Sequence, residues 1–525
     1  MYKKFNIKKA EAYLFYFTLF AGLIPLFVFR FFPTLDGPAH LYNSNLIIEL
    51  FKENRQIAQI FSLNNFSIPN WSGHAILAFF NFFLPAFIAE KILIGIYLIG
   101  LPLAFRLFIK QLKGDIVISW LIFPFTFSFM FYMGFYNFCL GTLFFFLGLY
   151  AWLKNMDKPL KSKLLILVFS ILIFYSHIVV FAIFVLTLFC LLICDFYSEV
   201  IIIKKPGLKK YVIKAIWLGV ALFPAGIAGL IYILSHSSPN EGSRIDSEEL
   251  LRWLFCIQSL VVFNVNSETI FTICCFGLIL FLVLASVSMQ LYQKIKKTKQ
   301  LNSNPDLSII WLILAGMMLV LYFILPDEVG SGGYISGRLN WFFFIFLIFW
   351  LSTKQFQPWI RILTVCLVLF VHAGLLFHHN IALYRLNRYT SEVMETSKYI
   401  PPNSVVLPLN FSDNWSLNHF SNYMGTDKPL IILENYEAAM GYFPVIWNDK
   451  SLPLFYFEGD DSLKYCDFIR ESQNSNTRKV DYLFFIGNYP DTSKACIRNI
   501  LNYSRKNSTL VYHSTNTSLY KCGIP

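Results

Sequence analysis

Residues 8–40 read KKAEAYLFYFTLFAGLIPLFVFRFFPTLDGPAH, and this stretch decides the fold class. Lys3, Lys4, Lys8 and Lys9 precede an apolar run from about residue 12 to residue 32. A run of that length suits a helix crossing the hydrocarbon core of a bilayer, and lysines ahead of it mark the cytoplasmic end. A secretory signal peptide is the competing reading. The run is long, however, and ends in Arg30-Phe31-Phe32, not in a small-residue cleavage site. It reads as a retained first transmembrane helix, with Asp36-Gly37-Pro38-Ala39-His40 emerging into water on the far side. Ionisable side chains at the mouth of a membrane helix default to a functional hypothesis.

Composition agrees. The chain is 56% hydrophobic and only 14% charged, with 57 phenylalanines and a mean hydropathy of +0.56; a soluble protein carries about 25% charged residues. The net charge of +12 comes from lysines in short clusters between apolar runs. That is the pattern of cytoplasmic loops and excludes nucleic acid as the partner.

Run lengths and lysine clusters predict a polytopic α-helical membrane protein of about 11 spans, its N-terminus cytoplasmic and its C-terminus outside. A first outside loop covers about residues 33–90, with an amphipathic stretch from Ala75 to Phe87 suited to the membrane surface. Spans then follow at about 92–109, 116–133 and 135–153. The run 164–194 has lysines at both flanks, so it must turn back near Tyr175-Ser176-His177. Later spans fall at about 212–234, 269–291, 309–325, 339–351 and 360–377. Residues 1–379 form the transmembrane domain on this reading. Residues 380–525 carry ordinary charge and β-rich runs near 404–409, 429–433, 481–486 and 509–513, with helix-like segments near 463–473 and 493–503. Strands alternating with helices predict a small extracytoplasmic α/β domain. One disulfide among Cys466, Cys496 and Cys522 is possible there.

All nine histidines fall outside or at the outer ends of spans. Most such residues are interfacial or packing residues, but His177 interrupts an otherwise apolar desert. Asp36 has two readings. It caps a helix that begins at Pro38 with Gly37 as its cap, held ionised by the positive helix end; or it is a base or metal ligand, with His40 four residues on facing the same cavity. A third cluster, residues 326–338, is Gly-rich, contains Asp327 and Glu328, and ends in Arg338. Arginine there either snorkels to the interface or grips a phosphate bidentately.

The pattern resembles the GT-C glycosyltransferases, polytopic enzymes that use lipid-phosphate-linked sugars on the outer face. The resemblance rests on the acidic residue opening the first outside loop, amphipathic helices in that loop, a multi-span body and a soluble C-terminal domain. It implies that Asp36 is the base or a metal ligand, and that Arg338 neutralises the leaving phosphate. The paired-acid form of several branches is missing, because residue 38 is proline. A divalent cation, Mg or Mn, is therefore an open expectation, with Asp36 as its ligand. His40 as a tuning group, and His177 and Arg244 as further phosphate contacts, come from the residues alone. The implied partners are the bilayer, a polyprenyl-phosphate-linked sugar, and a protein, lipid or glycan acceptor. A Phe-rich wall would hold the isoprenoid. A transporter or flippase, a non-catalytic scaffold with an outside binding domain, and an O-antigen-ligase-like enzyme are the alternatives. Richness in Phe, Ile, Lys and Asn is what AT-rich coding gives, and it points to a bacterial inner membrane with the C-terminal domain in the periplasm.

Overall fold

A computed structural model describes residues 7–155, 158–202, 207–236, 242–295, 308–328, 332–448, 479–487 and 495–523. Among these residues, eight helical stretches are long and apolar enough to cross a membrane. The first of them is built from α1 (Ile7–Ala21) and α2 (Ile24–Val28). In the first loop lie α3 (Gly37–Phe51), α4 (Arg55–Ala58) and α5 (Trp71–Asn81), and α6 (Ala86–Gln111) follows. The span expected at 116–133 is not one rod. A 3-10 segment, Ile116–Leu121, leads into α7 (Ile122–Thr126) and α8 (Phe129–Tyr132). Proline inside α7 removes a backbone donor, and nearly every residue from Ile118 to Met133 is buried. Broken backbone is tolerated at membrane depth only where protein surrounds it.

Next come α9 (Tyr136–Lys154), α10 (Pro159–Ser176) and α11 (Ile178–Phe196), the last two reversing direction at His177. They are followed by α12 (Leu208–His236), α13 (Ser247–Phe255), α14 (Val265–Ile295), α15 (Ile309–Ile324) and α16 (Ile335–Ser352). The last long helix, α17 (Pro358–Ser397), has 40 residues. At 1.5 Å per residue it is about 60 Å long, twice the hydrocarbon thickness. The expected span end at Phe377 is therefore only where the apolar sequence stops, while the helix continues through Arg385, Arg388 and Glu392.

The chain forms two compact units: Met1–Ile24, Gly95–Tyr132 and Phe138–Asn380 in one, and Pro25–Ile94, Met133–Asn137 and Ile381–Pro525 in the other. In the first unit α16 is the inner helix, with 83% of its apolar window buried, against 28% for α12. An all-apolar helix with no polar stripe belongs inside or in lipid, and these two take opposite choices. Phenylalanine supplies the packing. Phe105 stacks on Phe349 at 5.0 Å, Phe146 on Trp341 at 6.2 Å, and Trp311 meets Phe349 at 5.1 Å. The phenylalanines of α9 and α16 thus pack on one another as a core, and this part of the expected lipid-holding wall is filled. A partly buried ion pair joins α1 to α6: Arg106 donates to both Glu11 oxygens at 2.8 and 2.7 Å, and Trp120 Nε1 donates to Glu11 at 2.7 Å.

In the second unit the strands are β1 (Phe61–Leu63), β2 (Val405–Asn410), β3 (Ile431–Ile432), β4 (Val445–Trp447), β5 (Tyr482–Ile486), β6 (Ser508–His513) and β7 (Thr517–Cys522). Five form a mixed sheet in the order β3-β2-β5-β7-β6, with β2 parallel to both neighbours. Pro408 of β2 lies beyond the end of β3, where the strand has one partner and tolerates proline. Helices α18 (Tyr436–Met440) and α19 (Ala495–Asn507) complete it. The helix expected near 463–473 lies outside the described residues, as do Cys466 and the Cys496 side chain. The first loop does not stand alone. β1 pairs antiparallel with β4, Phe61 stacks on Trp447 at 4.5 Å, and the Tyr42 hydroxyl donates to the Leu430 carbonyl at 2.7 Å. These contacts bring α3 and α5 against the segment from His419 to Trp447.

Candidate functional site

The turn before α3 is shaped by close approach. A Cβ at Gly37 would meet Thr34 Oγ1, the Tyr136 hydroxyl and Glu90 Oε1 at 2.4, 2.6 and 2.7 Å. Gly134, at φ +80°, would place a Cβ 2.8 Å from the Asp36 nitrogen. Both positions therefore need glycine. The helix begins at Gly37, with Asp36 at its N-cap, one residue earlier than the sequence suggests. Asp36 makes no capping hydrogen bond; Thr34 Oγ1 accepts the Gly37 N–H instead, at 3.1 Å. The capping reading of Asp36 fails for that reason, and its carboxylate is left for the site. Nor does the helix end decide its charge. Burial pushes the Asp36 carboxyl above its ordinary value, and the cationic pull of His419 and His40 only partly offsets it.

His40, one turn further on, converges with two residues from distant segments. His40 Nδ1 lies 2.5 Å from Glu437 Oε1, and His74 Nε2 lies 2.8 Å from Glu437 Oε2. All three are buried, and one ligand-type atom from each falls within 4.8 Å of the others. The far side of each ring is held by backbone. His74 Nδ1 is 3.0 Å from the Asn70 carbonyl, which can only accept, so Nδ1 carries the proton. Asn70 takes a left-handed conformation at φ +66°, which asparagine tolerates, at the start of α5. His40 donates in the same way to the Gly134 backbone. Glu437 Oε2 also accepts from Asn43 Nδ2 at 2.8 Å, and Asn43 exchanges two amide bonds with Asn435 at 3.0 and 2.8 Å. Burial works against a charge on His40, but Glu437 beside it raises its pKa. Burial likewise penalises the Glu437 carboxylate, yet the two imidazoles hold it down at about 2. Of the groups described, these three residues have the donor types and spacing to hold a cation.

Asp36 has a second neighbour. His419 Nε2 lies 3.7 Å from Asp36 Oδ1, and its Nδ1 donates to Glu434 at 2.6 Å. Glu434 also accepts from Ser421 Oγ at 2.7 Å and Asn422 Nδ2 at 2.6 Å. The His419 ring stacks on Tyr436 with centroids 4.2 Å apart. Burial lowers the His419 pKa, but Glu434 and then Asp36 outweigh it and raise it to about 9. His419 is an imidazolium at neutral pH, set between two carboxylates. Behind Asp36, Glu90 is fully buried and accepts from the Tyr136 hydroxyl at 2.9 Å.

Arg338 and His177 belong to the other unit and come together there on one ring. The Arg338 guanidinium lies 5.8 Å from the centre of Phe138, and the His177 ring meets the same ring edge-on at 5.5 Å. Arg338 Nη1 donates to the Gly333 carbonyl at 2.5 Å. His177 also caps α11, its Nδ1 accepting the Val179 N–H at 3.2 Å. Asp327 has a structural contact: its Oδ1 accepts the Ser336 N–H at 2.8 Å at the start of α16. Glu328 and Arg244 are exposed, and residues 329–331 of the Gly-rich loop lie outside the described residues. The same unit has an open cleft lined by Trp152, Lys163, Asp195, Lys214 and Trp217, but none of the histidines lines it.

The sequence marks Asp36 and His40, but the roles of His74, His419, Glu434 and Glu437 emerge only when α3, α5 and the His419–Trp447 segment fold together. Comparison with protein-family models, curated proteins and solved structures gives no match for this chain.

Proposed function

We propose that this chain is an integral-membrane glycosyltransferase of the GT-C kind, which moves a sugar from a polyprenyl-phosphate-linked donor to an acceptor hydroxyl at the extracytoplasmic face. The N-terminus is cytoplasmic and residues 380–525 are periplasmic on this reading, in a bacterial inner membrane. What supports it most is Asp36: a buried carboxylate, free of capping duty, with its pKa raised by burial and an imidazolium at 3.7 Å. A carboxylate with a raised pKa is a better general base near neutral pH.

In the reaction, Asp36 accepts the proton of the acceptor hydroxyl. The acceptor oxygen bonds to the anomeric carbon as the bond from that carbon to the phosphate oxygen breaks. Polyprenyl phosphate leaves with the electron pair, and the carboxylic acid formed at Asp36 returns its proton to solvent. His419 orients Asp36, with Glu434 fixing the ring from behind. The negative charge developing on phosphate needs a fixed positive donor, and the reading assigns Arg338 to that role, with His177, whose Nδ1 accepts from Val179, as an uncharged contact.

The test uses full-length protein in detergent with a panel of polyprenyl-phosphate sugars, and follows release of polyprenyl phosphate. Asp36→Asn keeps size and shape but removes the base, so turnover by the folded variant should fall by about 10²–10⁴-fold. Undiminished release by a folded Asp36→Asn protein would sink the assignment.

A further inference from the structure

The cluster of His40, His74 and Glu437 is unusual in what it lacks. If it held only protons, each histidine would donate on both sides. His74 would give Nδ1–H to Asn70 and Nε2–H to Glu437, and His40 would give one N–H to Gly134 and the other to Glu437. Two imidazolium ions would then face one carboxylate with almost no water present, since the residues are 3%, 0% and 0% exposed. The His40 contact is also poor as a hydrogen bond. His40 Nδ1 and Glu437 Oε1 are 2.5 Å apart but off the line a hydrogen bond needs, so both buried atoms lack a proper partner.

A divalent ion removes the difficulty without changing the net charge. Two imidazolium protons give way to one M²⁺; both rings become neutral and turn lone pairs inward. The backbone carbonyls behind the rings then play a familiar part. A metal-bound histidine almost always donates its other N–H to a carbonyl or carboxylate, which fixes the tautomer. Asn70 and Gly134 are placed to do this. Asn43 does the equivalent for the carboxylate, donating to Oε2, the oxygen that faces His74, while Oε1 faces His40. Bond lengths of about 2.0–2.1 Å put tetrahedral ligand atoms roughly 3.4 Å apart. The observed contacts of 2.5 and 2.8 Å, within an overall spread of 4.8 Å, bracket that separation.

We infer that His40, His74 and Glu437 bind a divalent transition-metal ion of the zinc class, clamping α3, α5 and α18 together beside Asp36. Two imidazoles and one carboxylate favour zinc-like ions over magnesium, which prefers oxygen donors and water. The ligand set differs from the sequence expectation, which had Asp36 as the ligand and Mg or Mn as the ion. The inference does not rest on the glycosyltransferase reading, because it is read from metal content without turnover.

The test strips full-length protein in detergent with a chelator, reloads it with Zn²⁺ or Co²⁺, removes free metal by gel filtration, and measures bound metal by mass spectrometry. Wild type and His513→Ala, a change at an exposed histidine on β6, should retain about one equivalent. His74→Ala and Glu437→Gln should lose it, and Co²⁺ in wild type should show the visible ligand-field bands of a nitrogen- and oxygen-ligated site. Wild type that returns metal-free, or variants that keep the full equivalent, would overturn the site. Should the variants fail to fold, the melting temperature of stripped wild type decides. Zn²⁺ should raise it and Mg²⁺ at the same concentration should not; no shift, or an equal one with Mg²⁺, overturns the inference.

Discussion

Raising the pH should strip a stabilising charge from His419. The groups facing this ring are Asp36 from the turn before α3, Glu434 from the segment after β3, and Tyr436 and Glu437 from α18. Burial alone would favour the neutral imidazole, but the carboxylates win and lift the pKa to about 9, from 6.5 in the unfolded chain. A gap of that size corresponds to about 3 kcal/mol of stability. The side chain is only 17% exposed, so solvent screening discounts little of it. The sign follows from linkage. The folded state holds the proton more tightly than the unfolded state. The contribution is therefore complete below about pH 6.5 and disappears as pH rises through about 9. His419→Gln can still donate to Glu434 but cannot carry charge. Reversible unfolding in micelles, measured for wild type and His419→Gln from about pH 6 to about pH 10, should show a gap near 3 kcal/mol at the acid end that closes at the alkaline end. A gap that stays constant across this range would refute the ion pair, and one that widens with pH would show that the ring is neutral in the fold.

Two other perturbations probe neighbouring features. Arg338→Ala should raise the KM for the lipid-phosphate donor by about tenfold or more and leave the acceptor KM nearly unchanged, as the loss of one charge-assisted contact predicts; equal changes in both would argue against a phosphate contact. Asn43→Ala strands the buried Asn435 amide as well as removing a donor to Glu437, and should cost about 3 kcal/mol. In a double-mutant cycle with Asn435→Ala the coupling should be about 1–2 kcal/mol, and energies that simply add would show that the amide pair contributes nothing of its own.

The fold class was legible because its signals are local. Lysines flanking Ala12–Phe32 and the apolar runs after it need no knowledge of distant contacts, and the reversal at His177 follows from the same flanking lysines. The misreadings share one cause: hydropathy measures what surrounds the chain, not the shape of its backbone. Residues 116–133 are apolar throughout, yet Pro124 and burial against neighbouring protein let that backbone break. After Phe377 polarity returns, yet α17 runs on to Ser397, because its distal half packs in the second unit. There Glu392 accepts from Ser514 Oγ at 2.6 Å and from the Asn516 N–H and Nδ2 at 2.9 Å.

The site was half legible, and the reason lies in how each half is marked. Asp36 and His40 are polar residues at the edge of an apolar desert, so local contrast exposes them. Glu434 and Glu437 stand in ordinary polar sequence, Glu434-Asn435-Tyr436-Glu437, where two carboxylates attract no notice. One usable signal was nevertheless present. They directly follow Leu430-Ile431-Ile432-Leu433, an apolar run that reads as a strand and contains β3, which is parallel to β2. In open sheets with parallel strands, ligand-binding residues gather beyond the carboxyl ends of those strands, so carboxylates just past such a run were candidates on position alone. His74 carried no comparable mark. Its importance depends on the left-handed turn at Asn70 and on α5 packing beside α3, and neither is visible at any sequence spacing. A site that joins residues 40, 74 and 437 through three short helices is specified by tertiary packing, and sequence contrast identifies only the member that closely follows the first apolar run.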